Sequence, residues 1–291
     1  MKKIGVTVFA IIIFNFFCQN PCEAIKIGLL TEVQSASVGT SVKGTIIDAK
    51  TNKTVCELEA MKGYEIKPFH SQLAIRYEGK YYKIESDNIV IKPLSTGFVS
   101  TKRKWYRGNI IIRNRNGKLI VINNVPLEEY IKGVVPAEMP SSWEYEAHKA
   151  QAIAARSYAL ANLGKRAQYG YDLKDTPEDQ AYNGASGETS NTNSAVNDTK
   201  GIVLTYNKQV ISAYYSASAG GQTNTNSWGT SVPYLRSVPS FDENIKKNGH
   251  GVGMSQHGAN NLAKQGYNAY QILKYFYKDI KFAKVNPDSY N

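Results

Sequence analysis

The sequence predicts an α+β fold, in which a β-rich N-terminal region precedes a mixed α/β domain with a central buried helix. Two observations carry this prediction. Residues 25–122 alternate apolar and polar side chains between turn signals, which is typical of strands. At Pro126 the spacing changes to that of helices, and an alanine-rich helical segment follows. Runs of strands followed by runs of helices indicate the α+β class.

The chain of 291 residues is long enough for one large domain or two ordinary ones. We expect a signal peptide over residues 1–24, a β-rich region over 25–108 and the mixed domain over 109–285. Residues 286–291 then form a short tail. We find no internal repeat and no linker rich in proline and serine that would mark a boundary more sharply.

The N-terminus has the composition of an export signal. Lys2 and Lys3 precede an apolar run, and small residues lead to a cleavage site after Ala24. The run is short for a membrane span, so a cleaved signal is favoured over a retained anchor. We therefore predict an extracytoplasmic protein, secreted or in the cell envelope. Only Cys56 would remain after cleavage, which excludes an intramolecular disulfide.

Three hairpins are predicted in the β-rich part of the chain. The turns are AKTNK at 49–53, Glu78-Gly79 and Asn116-Gly117. Asn-Gly between two apolar strands is the strongest short hairpin signal. This region is either structural or glycan-binding, and its sequence does not separate the two.

Two helices are predicted around a short apolar loop. Pro126 suits a helix start, and LEEYIK gives a short helix that ends at Gly133. We expect the following VVPAEMP to be irregular because prolines remove donors and restrict the backbone. Ser141 and Glu144 have the spacing of a capping box for a second helix, which ends at Gly164 and whose alanines predict close packing.

The C-terminal half is predicted to contain more loop than helix. Residues 165–200 are polar and read as a long functional or mobile loop. A hairpin pattern follows over 201–218, and then the glycine-rich GHGVGMSQHGA at 249–259. The chain ends in a helical pattern that is broken near Gly266.

Composition excludes several classes of function. The formal charge is +11, and removal of residues 1–24 leaves +10, without a block of basic residues. A diffuse positive charge favours an anionic partner such as a cell wall or a membrane surface, and no motif supports nucleic acid.

The glycines around His250 do not follow a dinucleotide fingerprint, so no cofactor is expected. His250 and His257 lack a third ligand, so no metal is expected.

Glu138 is the candidate catalytic residue. Its neighbours in VVPAEMP are apolar, and burial against apolar side chains raises the pKa of a carboxyl group. An acid that stays protonated near neutral pH can protonate a leaving oxygen. The alternative is a glutamate on a tight turn that points to solvent or caps the next helix. From the residues alone, both readings stay open.

Glycoside hydrolysis usually needs two carboxylates. Glu144 and Glu146 on the following helix are better explained by capping and solvation. The long loop supplies four acids that could approach, namely Asp172, Asp175, Glu178 and Asp179. One carboxylate suffices if a hydroxyl of the substrate attacks its own anomeric carbon, because the same group then acts first as acid and then as base.

Several segments together resemble the SpoIID/LytB domain family, which contains sporulation lytic transglycosylases and amidase enhancers. In order, they are VPLEEYIKGVVPAEMPSSWEYEAHKAQAIAARSYAL, DTPEDQAYNG, KGIVLTYNKQVISAYYSASAGGQT, VPYLRSV and GHGVGMSQHGANNLAKQGYNAYQILKYFY. They cover about residues 122–280, so the resemblance implies that 109–285 is the catalytic domain. The segment between VPYLRSV and GHGVGMSQ is shorter than usual for the sporulation members.

The resemblance implies an exported peptidoglycan lytic transglycosylase that leaves 1,6-anhydroMurNAc ends on stem-peptide-free glycan strands. Glu138 matches the catalytic glutamate of the family. Some members bind zinc through cysteine and histidine in the long loop, and this loop has neither. The alternative function is a non-enzymatic wall-binding enhancer of an amidase. The implied partners are glycan strands and a cell-wall amidase, and the substrate-binding residues are expected to be Gln151, Arg156, Gln180, Tyr182, Ser216, Ser218, His250, Ser255 and Gln256.

Overall fold

The structure, a computed structural model, describes residues 24–227 and 230–286. The predicted signal peptide therefore lies outside the described residues, apart from Ala24, and most of the predicted tail does too. Within the described residues, no helix is both long and apolar enough to cross a membrane.

The N-terminal half of the described chain is built from strands. They are β1 (Ile25–Val33), β2 (Ala36–Thr40), β3 (Gly44–Asp48), β4 (Thr54–Leu58), β5 (Gly63–Phe69), β6 (Gln72–Tyr77), β7 (Lys80–Ile84), β8 (Asn88–Pro93), β9 (Val99–Thr101), β10 (Lys104–Tyr106), β11 (Asn109–Arg115) and β12 (Lys118–Val125).

Helices and short strands follow. They are α1 (Leu127–Glu138), α2 (Tyr145–Ala161), β13 (Leu173–Lys174), α3 (Ser190–Asp198), β14 (Ile202–Tyr206), β15 (Gln209–Val210), β16 (Tyr215–Ser216), β17 (Asn226–Ser227), β18 (Thr230–Ser231), β19 (Met254–Ser255), α4 (Gln256–Lys264), α5 (Ala269–Phe276) and β20 (Lys281–Lys284), with 3-10 turns at Ala167–Tyr169 and Gly184–Gly187. N-terminal sheets with later helices confirm the predicted mixed architecture.

Two sheets form the β part. One has the strand order β13-β1-β12-β11-β8-β3-β4, and the other has the order β10-β9-β2-β5-β6-β7. Apolar residues of both sheets share one core with α1 and with part of α2, including Ile46, Ile66, Val121, Tyr130 and Ala155. A second core surrounds α2, α4, α5 and β14. The helices therefore connect the sheets to the C-terminal half.

The predicted hairpin turns are confirmed at all three places, and residues 49–53 join the antiparallel strands β3 and β4. Asn116 and Gly117 have φ angles of 54° and 77°, and they join β11 to β12. Glu78 and Gly79, with φ angles of 47° and 80°, join β6 to β7. Positive φ at both central residues gives the twist that two-residue hairpins need.

The seven-stranded sheet combines strands from both predicted regions. β11 and β12, from the range 109–285, lie between β1 and β8, from the range 25–108. Their backbone hydrogen bonds run directly across the predicted boundary. The division at 108/109 stays a prediction, and the sheet is one element common to both ranges.

Helix α1 is longer than the sequence suggested. It continues through Gly133 and Pro136 and ends at Glu138, so the expected irregular loop was wrong. Pro136 removes one donor close to the helix end, while the Met139 amide still donates to the Val135 carbonyl at 3.0 Å. Gly133 is a packing site, because a Cβ there would lie 2.5 Å from Cε2 of Tyr182.

Helix α2 begins later than the capping-box pattern indicated. Its N-cap is Glu144, without a side-chain cap, and Ser141 lies in the preceding turn. The predicted box was therefore wrong. Small buried residues, such as Ala147, Ala150 and Ala154, let the helix pack against α1, α3, α4 and α5.

The long loop contains a helix that the sequence interpretation missed. α3 is polar, but Thr189 and Thr192 form a capping box at its start, and its buried face consists of Thr192, Ala195 and Val196. The predicted break near Gly266 is confirmed, since α4 ends at Lys264 and α5 begins at Ala269.

Candidate active site

Glu138 is the last residue of α1, and its carboxylate meets three hydrogen-bond donors. The backbone amide of Ala181 donates to Oε1 at 2.7 Å, and the hydroxyl of Tyr215 donates to the same oxygen at 3.4 Å. The side-chain amide of Gln256 donates to Oε2 at 3.2 Å. Three distant segments of the chain therefore meet at one carboxyl group.

Burial and hydrogen bonding act in opposite directions on Glu138. Burial is the larger effect and raises the pKa of the carboxyl group, whereas the bonds from Ala181, Gln256 and Tyr215 lower it. The net pKa is raised. The residue as a whole is half-buried. This is the environment of a carboxylic acid that can both give and take a proton.

A buried chain of polar side chains supports this group. The Tyr130 hydroxyl donates to Oε1 of Gln180 at 3.2 Å, and Nε2 of Gln180 donates to the Tyr215 hydroxyl at 2.8 Å. Burial raises the pKa of Tyr215 well above its usual value, so its hydroxyl keeps its proton. The chain fixes the orientation of Tyr215 towards Glu138.

Parallel pairing of β16 with β19 places Tyr215 and Gln256 on either side of the carboxylate. Tyr215 pairs with Met254, and Ser216 pairs with Ser255. Ser255 caps α4 by accepting the Gly258 amide at 3.0 Å, which makes Gln256 the first residue of that helix.

Asp242 joins the segments around β16 and β19 by hydrogen bonds. It accepts hydrogen bonds from the amides of Ala219 and Gly221 at 2.7 and 2.8 Å. The hydroxyls of Ser240 and Ser255 also donate to it, the latter at 2.5 Å. These donors lower the pKa of Asp242 against the effect of burial, and the resulting anion fastens three segments together.

The structure brings four of the predicted substrate residues close to Glu138. Gln256 contacts it directly, and Gln180 reaches it through Tyr215. Ser216 and Ser255 adjoin the contacting residues on β16 and β19. A substrate contact by any of the four stays a prediction.

Four of the others lie in the interior. Arg156 is fully buried and forms a bidentate pair with Glu128, with both bonds at 2.8 Å. Tyr182 donates to Oδ1 of Asn123 at 2.8 Å. Buried Ser218 donates to the Lys246 carbonyl at 2.6 Å. Gln151 is also fully buried, and neither polar atom of its side chain has a hydrogen-bond partner. The partners of Arg156, Tyr182 and Ser218 are protein groups, and a substrate contact by any of the four stays a prediction.

His250 occupies the glycine-rich segment beside Tyr214. Its Nδ1 accepts the Val252 amide at 2.9 Å, and its ring stands edge-on to Tyr214 at 6.1 Å. Burial, as the main cause, lowers the pKa of His250, which favours the neutral imidazole near neutral pH.

The acids of the long loop are already engaged by protein groups. Asp175 pairs with Lys102, and Glu178 pairs with Lys174 and Arg166. Asp179 pairs with Lys165 and Arg166, which holds the pKa of its carboxyl below the usual value. Asp172 accepts backbone amides from Lys26 and Gly164. None of the four is a candidate second acid.

Sequence interpretation missed three contributors to the site, namely Tyr215, the Ala181 amide and Asp242. Tyr215 lies in the segment KGIVLTYNKQVISAYYSASAGGQT, but nothing in that segment distinguishes it from the other tyrosines of the chain. The role of the Ala181 amide depends on loop conformation, for which the sequence offers no signal. Among the described residues, no group of three or more His, Cys, Asp or Glu side chains could hold a metal ion.

Comparison with known proteins relates part of this site to a family. Residues 115–206 match the family model described as SpoIID, stage II sporulation protein. This range contains Glu138, Gln180 and Ala181, while Tyr215 and Gln256 follow it.

Relatives in bacteria extend the match. An uncharacterized protein of Brachyspira hyodysenteriae is 34% identical over 196 residues, covering 66% of this chain and 49% of the relative. The amidase enhancer of Bacillus subtilis is 49% identical over 107 residues, covering 36% and 14%. The stage II sporulation protein D of Bacillus subtilis is 28% identical over 262 residues, covering 57% and 76%.

The chain spans about half the length of the Brachyspira relative and a smaller share of the amidase enhancer. The region of similarity carries the helix that ends in Glu138. The chain therefore contains a domain of the SpoIID family.

Proposed function

We propose that the protein is an exported lytic transglycosylase that acts on peptidoglycan. Its substrate is the MurNAc-GlcNAc linkage of stem-peptide-free glycan strands, and its product carries a 1,6-anhydroMurNAc end. The observation that carries the proposal is the single carboxyl group of Glu138, which has a raised pKa and meets three hydrogen-bond donors. The relatives named for sporulation protein D and amidase enhancer support a cell-wall substrate.

The first chemical step needs an acid. Protonated Glu138 donates its proton to the glycosidic oxygen as the bond from C1 to that oxygen breaks. The carboxylate that results is stabilised by the Ala181 amide, the Gln256 amide and the Tyr215 hydroxyl, because all three donate to it. The donors therefore favour the state that proton transfer produces.

The second step needs a base at the same place. The C6 hydroxyl oxygen of the muramic residue bonds to C1, and its proton passes to the Glu138 carboxylate. The residue returns to its starting state, and water takes no part. A mechanism with one carboxylate suits this site. The pKa of Glu138 is set by burial and by the donors Ala181, Gln256 and Tyr215, and none of these is a second carboxylate.

The test is digestion of purified glycan strands that lack stem peptides. Wild-type protein should release fragments with anhydro ends, which mass spectrometry separates from reducing ends by the mass of one water. Glu138→Gln should abolish release, since an amide neither donates nor accepts the required proton. Glu57→Gln, on the exposed surface of β4, is the matched control and should retain activity. Equal activity in both variants would remove Glu138 from the mechanism.

A second candidate is a non-enzymatic enhancer of a cell-wall amidase. The identity of 49% over 107 residues with a protein named amidase enhancer favours it. In that case, wild-type protein alone would release no glycan fragments, yet it would accelerate an added amidase on intact sacculi. Glu138→Gln would keep that stimulation, so the two assays together separate the candidates.

Export is part of the proposal. It is supported by the apolar run after Lys2 and Lys3 and by the basic charge, which suits an anionic wall. Fractionation of cells that produce the full chain tests it: the protein should be found outside the cytoplasm, shortened by the residues before Ile25. Protein of full length in the cytoplasm would contradict it.

A further inference from the structure

A cavity of about 340 Å³ lies by the start of β8 and the end of β11 in the seven-stranded sheet. We name it the β11 pocket, and its walls include Lys50, Asp87, Arg113, Arg115, Gln168 and Tyr169. The first two belong to turns beside β3 and β8, the arginines to β11, and the last two to the 3-10 turn before β13. None of these residues contacts Glu138 in the bonds described above.

The pocket lies on the opposite face of the sheet from α1. Ile110 and Ile112 of β11 belong to the core that contains residues of α1, such as Tyr130. Ile111 belongs instead to a small cluster with Tyr171 on the other face. Because side chains alternate along a strand, Arg113 and Arg115 share the face of Ile111. A ligand in the β11 pocket would therefore be separated from the candidate active site by the sheet.

One wall of the pocket is held firmly in place. Nη1 of Arg115 donates to the Gln168 carbonyl at 3.2 Å, and its guanidinium lies 5.8 Å from the ring centroid of Tyr169. Tyr169 stacks on Tyr171 at 5.9 Å, and Tyr171 is buried against Gly28. The turn is thus fixed to the sheet, which lowers the entropy lost when a ligand binds.

The charge of the pocket is positive. Three cationic side chains face one carboxylate, Asp87, which pairs with Lys50 at 2.7 Å. Nε of Arg113 donates only a long bond of 3.4 Å to Oδ1 of Asn88. Among the described residues, no carboxylate lies within ion-pair distance of Arg113. Its guanidinium is half-buried beside Gly170, where a Cβ would collide with Nη1.

We propose that the β11 pocket binds the phosphate group of a phosphodiester-linked polyol polymer. Arginine offers paired N–H donors that match the oxygens of a phosphate, and Arg113 has most of its donors free of protein carboxylates. Arg115 and Lys50 supply further positive charge. The exposed ring of Tyr169 gives the carbon chain between phosphates an apolar face. Such a polymer would hold the protein on a wall surface independently of glycan cleavage.

The test is equilibrium binding of poly(glycerol phosphate) to the purified protein at low ionic strength. Wild-type protein should bind. Arg113→Gln should raise the Kd by about tenfold, because the loss of one charge-assisted hydrogen bond changes affinity by roughly that factor. Lys80→Gln removes the same charge from exposed β7 and should change binding by less than about twofold. Gly170→Ala should also weaken binding because its Cβ displaces Arg113. Thermal unfolding of each variant confirms that it is folded.

The remaining arms distinguish the source of the phosphate and the role of the active site. Inorganic phosphate should compete only weakly, since it lacks the carbon chain that contacts Tyr169. Phosphate that competes as well as the polymer, per phosphate group, would overturn the polymer assignment. Absence of wild-type binding, or equal weakening by Arg113→Gln and Lys80→Gln, would overturn the site. Glu138→Gln should bind like the wild type, so loss of catalysis and loss of binding are separable.

Discussion

Replacing Gln256 by methionine tests how the candidate active site sets the pKa of Glu138. Nε2 of Gln256 donates to Oε2 of Glu138 at 3.2 Å, and methionine has a similar volume but no donor. The bond favours the charged carboxylate, so its loss raises the pKa of Glu138 further. An acid must be protonated to act, and activity at alkaline pH should therefore persist to higher pH in the variant.

The length of this hydrogen bond and the usual strength of such bonds give the expected size of the shift. A hydrogen bond to a charged group contributes about 1.5–3 kcal/mol, and the length of this one points to the lower end. Since one pKa unit corresponds to roughly 1.36 kcal/mol, the shift is about one unit. The Ala181 amide, at 2.7 Å, still supports the carboxylate, so the base step is slowed and not abolished.

The assay is the pH dependence of kcat/KM for release of anhydro-ended fragments, which reports groups of the free enzyme. The alkaline limb should move upward by about one pH unit. A carbon-13 NMR titration of the Glu138 carboxyl measures the same pKa without turnover. Gln265→Met, at the exposed end of α4, is the control and should leave both unchanged. A Glu138 pKa that stays constant or falls in Gln256→Met would refute the reasoning.

Four further predictions concern stability. The pKa of Glu138 is raised in the folded state, so the protein loses stability as pH rises through that pKa. Glu138→Gln should therefore raise Tm near pH 8 and leave it without gain near about pH 4. An equal gain in Tm at both pH values would contradict this. Arg156→Met should lower the free energy of unfolding, measured in denaturant, by about 3–5 kcal/mol, because Glu128 loses its partner. Arg236→Met breaks an exposed pair and should lower it by less than about 1 kcal/mol. Gly133→Ala should cost about 1–3 kcal/mol through collision with Tyr182, and an unchanged unfolding midpoint would count against it. Asp242→Ala should cost at least about 2 kcal/mol by calorimetry, since it removes the acceptor of four donors, three of them in buried hydrogen bonds; an unchanged free energy of unfolding would contradict it.

Local chemistry explains what the sequence predicted well. Asn116-Gly117 and Glu78-Gly79 form the expected hairpins because asparagine and glycine adopt positive φ at little cost, and this preference operates within the turn itself. The choice of Glu138 rested on apolar neighbours in the chain, and the structure places its carboxyl in a desolvated position with a raised pKa. That agreement concerns the environment of the residue, while its catalytic role stays a prediction.

The errors in secondary structure have a common cause. Pro136 and Gly133 normally end helices, but α1 continues through both because buried Tyr130, Val134 and Val135 hold it in the core. α3 is too polar to be recognised by its spacing, and its few buried residues are enough once α2 supplies a packing surface. Tertiary contacts outweigh local propensity in both places.

The sequence by itself determined the order of sheets before helices, the hairpin turns and the apolar chain neighbours of Glu138. These depend on periodicity, turn chemistry and near neighbours, all of which are readable over a few residues. Only the tertiary structure decided that Glu138 ends a helix and that Ala181, Tyr215 and Gln256 converge on it. Those groups lie 43, 77 and 118 residues away in the chain, and their meeting depends on the pairing of β16 with β19 and the position of α4. Separations of this size leave no local pattern, because the free energy that brings the groups together comes from the packing of the whole core.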